Sequence, residues 1–121
     1  MEPQSIVSFI VTVPKTVSWT EYKKELETVK DGGQVLRYKT RYFPKEMSIG
    51  DRLYIYHDGY VRGYMLISGL IDLDEPWVCT TTGQQWPSGK YIERTGEFLH
   101  LNTPVSFKGF RGVRRYAESE L

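Results

Sequence analysis

From Ser5 to Val13 the chain alternates, with Val7, Phe9, Val11 and Val13 on one side of an extended backbone and Ser8 and Thr12 on the other. Ile6 and Ile10 interrupt the polar side, which predicts a strand partly covered on both faces and closed by Pro14. The period then changes. Trp19, Tyr22, Leu26 and Val29 recur every three or four residues among Lys23, Lys24, Glu25, Glu27 and Lys30. Ser18 and Glu21 stand at capping-box spacing ahead of that run and Gly32-Gly33 offers a left-handed stop behind it, so a helix is expected between them. Gln34 to Phe43 is extended, basic and aromatic, and forms a strand or an ordered loop before Pro44.

Ile49-Gly50-Asp51 reads as a turn leading into a strand from Arg52 to His57, and Asp58-Gly59 is the pair that supplies positive φ in a two-residue type I′ hairpin. Pairing outward from that turn sets His57 against Tyr60, Tyr56 against Val61, Ile55 against Arg62, Tyr54 against Gly63 and Leu53 against Tyr64. One face is then Tyr54, Tyr56, Val61, Gly63, Met65 and Ile67, expected in the core. The other carries Leu53, Ile55, His57, Tyr60, Arg62, Tyr64 and Leu66, expected to border a cleft. An acidic turn at 72–76, a short strand from Trp77 to Thr82 and a loop from Gln84 to Gly89 follow. Strands are expected at Lys90 to Arg94, Phe98 to Leu101 and Val105 to Phe107, ahead of a frayed tail. Five to seven strands with one or two flanking helices predict an α+β fold built on a small mixed β-barrel.

Composition narrows this picture. The 121 residues fit a single domain, 1–121, and 14% aromatic content agrees with a sheet-rich core. The formal net charge of +1 gives no global field for gathering polyanions, so a nucleic-acid site has to be a local patch. One cysteine, Cys79, allows no internal disulfide and is expected as a small buried thiol rather than a nucleophile. The first residues lack the basic and apolar regions of a secretory signal and no apolar run spans a bilayer, so a cytoplasmic protein without a membrane partner is expected.

The run Ile49-Gly50-Asp51-Arg52-Leu53-Tyr54-Ile55-Tyr56, the Asp58-Gly59 turn and Val61 to Ile67 together resemble PUA-like domains, including their ASCH and EVE branches. The resemblance covers roughly residues 48 to 71, and the rest only through length and strand order. It implies a pseudo-barrel with flanking helices and a cleft that accepts RNA or a modified nucleobase.

Two stretches carry the chemistry such a cleft needs. Lys108-Gly109-Phe110-Arg111-Gly112-Val113-Arg114-Arg115-Tyr116 combines four cations, two glycines and two aromatics without an acid. Glycine lets a phosphate approach the backbone, Arg offers a planar fork to its oxygens and an aromatic ring stacks on an unpaired base. In the second stretch Arg37, Lys39, Arg41 and Lys45 interleave with Tyr38, Tyr42 and Phe43, and in an extended chain the three cations 37, 39 and 41 share a face. A terminal strand with solvated arginines, and a basic edge that prevents aggregation, are the alternatives for the two stretches. Trp86, among Gln84, Gln85, Pro87, Ser88 and Gly89, is a candidate wall for a base.

The expectation is therefore a module that binds nucleic acid (RNA or DNA) or a modified nucleobase through Arg37, Lys39, Arg41, Arg62, Trp86, Lys108, Arg111 and Arg114. An ASCH-type hydrolase using Lys39, Thr40 and Glu93, and a protein-interaction module anchored on its tyrosines, are the other readings. His57 and His100 have no ligand partner at useful spacing, and Asp72, Asp74 and Glu75 fall short of a calcium loop, so neither a metal nor a cofactor is expected. No phosphate-loop, Gly-x-Ser-x-Gly or His-Glu-x-x-His motif occurs.

Overall fold

In the computed structural model, which describes residues 7–30, 35–79, 83–110 and 112–116, the first strand already shows how the molecule is layered. Phe9, Ile10 and Val11 of β1 (Ser8–Val13) are all fully buried, so both of its faces are covered, as the interrupted alternation predicts. The chain continues through α1 (Trp19–Thr28), β2 (Leu36–Thr40), β3 (Arg52–His57), β4 (Tyr60–Leu73), β5 (Trp77–Val78), β6 (Gln85–Trp86), β7 (Gly89–Arg94), β8 (Leu99–Ser106) and β9 (Val113–Arg115). At the start of α1 the Ser18 hydroxyl accepts from the Glu21 amide at 3.5 Å; Tyr22 and Leu26 of the helix and its C-cap Val29 are buried. The Gly32-Gly33 stop lies outside the described residues.

Seven strands form one sheet in the order β2-β7-β4-β3-β1-β9, with β8 also paired to β4, while β5 and β6 make a separate two-stranded hairpin. Only β1 and β3 run parallel, joined by a crossover that contains α1. The 14-residue β4 carries much of the sheet: its first half pairs with β3 and β8 and its second half with β7. The sheet curls into a half-barrel. Tyr38, on the edge strand β2, donates its hydroxyl toward the Thr12 carbonyl of β1 and the Gly112 carbonyl beside β9, at 3.2 and 3.3 Å, so a side chain spans the seam between the two ends. The concave face holds Phe9, Val11, Leu53, Ile55, Met65, Ile67 and Ile92 under α1. The convex face holds Ile10, Tyr54, Tyr56, Val61 and Tyr116, covered by Leu101, Val105, Phe107 and Phe110.

Asp58 and Gly59 have φ of 46° and 87°, and the hairpin register runs as predicted through His57↔Tyr60 and Tyr56↔Val61. Beyond those pairs it is corrected. Arg62 bulges out of the ladder, Ile55 pairs with Gly63, Tyr54 with Tyr64 and Leu53 with Met65. One extra residue flips everything after it to the other face. Met65 and Ile67 therefore join Leu53 and Ile55 in the concave core, and Tyr64 joins Tyr54 on the convex side. Other boundaries shift as well. The two strands expected at 98–101 and 105–107 are one strand, β8, and the loop at 84–89 contains β6. With the three-residue β9, the described residues hold nine strands rather than five to seven.

The bulge needs a glycine beside it. A Cβ on Gly63 would collide with the Leu99 carbonyl and come within 2.6 Å of the Phe98 ring. Gly63→Ala is expected to cost about 1–3 kcal/mol through overpacking, read as a lower urea midpoint at unchanged slope. Gly59→Ala, with open space around its Cβ but φ of 87°, should cost only about 1 kcal/mol from backbone conformation.

Candidate functional site

The β5–β6 hairpin sets Trp77 directly opposite Trp86, and the two indoles lie nearly parallel, 15° apart in plane with centroids separated by 6.3 Å. The turn between them is held by the Cys79 amide on the Gln84 carbonyl and the Gly83 amide on the Cys79 carbonyl, at 2.9 and 2.8 Å. Tyr91 of β7 anchors the hairpin from below. Its ring meets Trp77 edge-on at 5.2 Å and its hydroxyl donates to the Pro87 carbonyl at 2.6 Å.

Cross-strand register decides what lies next to the indoles. Arg37 pairs with Glu93 and Lys39 with Tyr91, so these four share the face of β2 and β7 toward the hairpin, while Leu36, Tyr38, Ile92 and Arg94 point to the concave core. The Arg37 guanidinium sits 4.6 Å from the Trp77 ring centroid and donates Nε to Glu93 Oε2 at 3.1 Å; Lys39 Nζ is 5.9 Å from the Tyr91 ring. Cation and ring reinforce one another here.

A cavity of about 470 Å³ wraps the free edge of β2 and takes walls from both faces. Its outer part is made by Arg37, Lys39, Trp77 and Trp86, and its inner part by Leu36, Tyr38, Tyr22 and Arg94, with Thr12 to Pro14 across the seam. The volume lies in the range of small-molecule sites. Arg94 is 3% exposed and donates Nη1 to the Tyr22 hydroxyl at 2.8 Å, but its Nε has no partner, and no carboxylate pairs with it among the described residues. Arg94 is thus a desolvated cation whose hydrogen bond goes to a neutral hydroxyl, and taking such a charge out of water costs several kcal/mol. Burial pushes the Tyr38 phenol above the ordinary tyrosine value, and the nearby Arg94 charge opposes this only in part.

Of the eight residues expected at a nucleic-acid site, Arg37, Lys39 and Trp86 line this cavity. The rest lie elsewhere or outside the described residues. Arg41 is exposed beyond the end of β2, and Lys108 is exposed after β8. Arg62 leaves the ladder at the bulge, packs between Trp19 and Tyr60 at 5.4 and 5.3 Å and donates to the His57 carbonyl. Arg114 lies against Phe107 and Phe110 at 5.2 and 5.8 Å, on the convex face with its strand partner Ile10. Arg111 falls outside the described residues. The described cations thus do not gather into one groove, and what converges is a smaller aromatic cavity with a few charges.

Lys39, Thr40 and Glu93 do not assemble either, since consecutive residues 39 and 40 face opposite ways, Thr40 Oγ1 donates to the Tyr42 carbonyl and Glu93 is engaged by Arg37. Buried His57 donates Nε2 to the Val17 carbonyl at 2.7 Å, while His100 is exposed beside Phe98. Among the described residues no group of three or more His, Cys, Asp or Glu is placed to hold a metal, and no helix is long and apolar enough to cross a membrane. Exposed Leu66 and Leu99 flank Tyr64, but the Arg52 guanidinium lies 4.9 Å over that ring, so the apolar surface there is not free of cations.

Trp77 and Arg94 are the site residues that pattern reading passed over. Alternation along β7 does place Arg94 on the same face as Ile92, a charge in step with a core position, which is the signal that was present. Comparisons with protein-family models, with curated proteins and with solved structures find no match to this chain. The geometry itself has to carry the functional reading.

Tyr38 gives a direct check on the seam. Its phenol is held protonated in the folded state while the unfolded chain titrates near pH 10, so the stability that Tyr38 contributes is constant below about pH 10 and is lost as pH climbs from there through the raised folded value. Tyr38→Phe should cost about 1 kcal/mol at neutral pH, where its hydroxyl bonds are lost, and should flatten the alkaline decline measured by urea unfolding.

Proposed function

We propose that this protein is a PUA-like binding module that takes an unpaired or modified nucleobase into the cavity at the β2 edge, with the base against the Trp77–Trp86 pair and Arg37 and Lys39 beside it. The observation that carries the reading is the coincidence of the parallel indoles, two outer cations and a 470 Å³ cavity at one place. Indole faces accept any base by stacking, worth about 1–3 kcal/mol per base, and cations beside them add attraction to a phosphate backbone. The Gly50-Asp51 turn supports the family likeness in its local build: Asp51 accepts from the Ser48 amide at 2.8 Å, and the Gly50 amide and Ile67 carbonyl tie the turn to β4. A curled mixed sheet with one helix is compatible with that likeness.

The cations spread over several surfaces disfavour a long groove that tracks a strand and favour capture of one nucleotide unit. Filter binding of short single-stranded RNA and DNA at two salt concentrations tests this. Trp86→Ala is expected to weaken binding about 5- to 150-fold, and Lys39→Ala to reduce the salt slope by about one unit. Lys23→Ala, exposed on α1, should alter neither. Absence of binding at low salt removes the proposal.

A further inference from the structure

Two side chains that line the cavity each keep a buried hydrogen-bond donor without a partner among the described residues: Arg94 Nε and Trp77 Nε1. Both groups donate only. The hydroxyl that Arg94 does reach, on Tyr22, accepts a hydrogen bond from it but brings no charge. A ligand that completes this site therefore has to supply acceptor oxygens and negative charge. A neutral base edge mixes donors with acceptors and leaves the guanidinium uncompensated. A phosphate monoester carries three acceptor oxygens and nearly two negative charges, and the arginine fork matches its geometry.

Placement agrees with this division. The indoles lie on the outer side of β2 and Arg94 on the inner side, and the cavity joins them around the strand edge. A ligand with a ring at one end and an oxyanion at the other meets both. Glu25 of α1 is a half-buried acid on the same lining, where Arg37, Lys39 and Arg94 outnumber it.

We infer that the cavity binds a nucleotide through a phosphate monoester held by Arg94, as a free nucleoside monophosphate or as the phosphorylated end of a strand. The inference rests on the nucleobase reading above and names what that reading leaves open. An internal phosphodiester carries one charge fewer, and its chain would have to leave a 3%-exposed position in two directions.

The test titrates tryptophan fluorescence of the full chain with the four ribonucleosides, their 5′-monophosphates and inorganic phosphate, for wild type and Arg94→Met. At least one monophosphate is expected to bind about tenfold or more tightly than its nucleoside, the increment of a charge-assisted hydrogen bond. In Arg94→Met its affinity should fall to that of the nucleoside. A monophosphate no tighter than its nucleoside, or a preference that survives Arg94→Met, overturns the inference while nucleoside binding keeps the nucleobase reading. Binding of inorganic phosphate with no gain from any base overturns the nucleobase reading and the nucleotide assignment with it. Trinucleotides with and without a 5′-phosphate separate the two sources: a phosphorylated trinucleotide as tight as the monophosphate assigns a strand end, and a weaker one a free nucleotide. If Arg94→Met does not fold, the wild-type protein decides alone. The methyl ester of the best monophosphate, one charge poorer, should bind severalfold more weakly, and equal affinity overturns the inference.

Discussion

A phenol bridges the two ends of the sheet above the apolar core they share. Closing a barrel with backbone ladders abolishes its edges, but here β2 forms no ladder with β1 or β9, and the Tyr38 hydroxyl crosses between them, bonded to Thr12 and Gly112. The cavity is what that incomplete closure leaves. Had β2 paired along its free edge, no space would join the Trp77–Trp86 pair outside the strand to Arg94 inside it.

The edge also explains why the cavity is two-sided in character. Residues alternate along β2, so one strand presents Arg37 and Lys39 to the aromatic hairpin and Leu36 and Tyr38 to the core. Each outer cation is already balanced by a ring or, for Arg37, a carboxylate. Arg94 differs. It is desolvated with a neutral hydroxyl as its partner, and replacing a buried ion by an apolar side chain is often neutral or stabilising for a protein. Keeping it there sets a stability cost against whatever the charge attracts.

Much of the scaffold was legible along the chain. The helix follows from its apolar spacing and Ser18, and the hairpin turn from Asp58-Gly59, because these depend on residues within a few positions of each other. The register beyond Ile55 was not legible. Arg62 bulges beside Gly63, which lies under Phe98 and the Leu99 carbonyl more than thirty residues away in the chain, and that single extra residue exchanged the faces of Met65, Ile67 and Tyr64. Strands of two or three residues such as β5, β6 and β9 are too short to show a period.

Local spacing was thus enough to establish a β-rich chain with one amphipathic helix, a tight hairpin and two basic aromatic stretches, since turn conformation and burial period are properties of neighbouring residues. Which cations meet a ring, which lie on the far face and which one is shut away from water was decided by strand pairing and by the curl that brings β2 beside β1. Arg37 and Lys39 line a cavity and Arg114 lies behind the sheet for the same reason: a side chain's face is set by its partner strand, and β2 with β7, like β1 with β9, pair across long stretches of the chain.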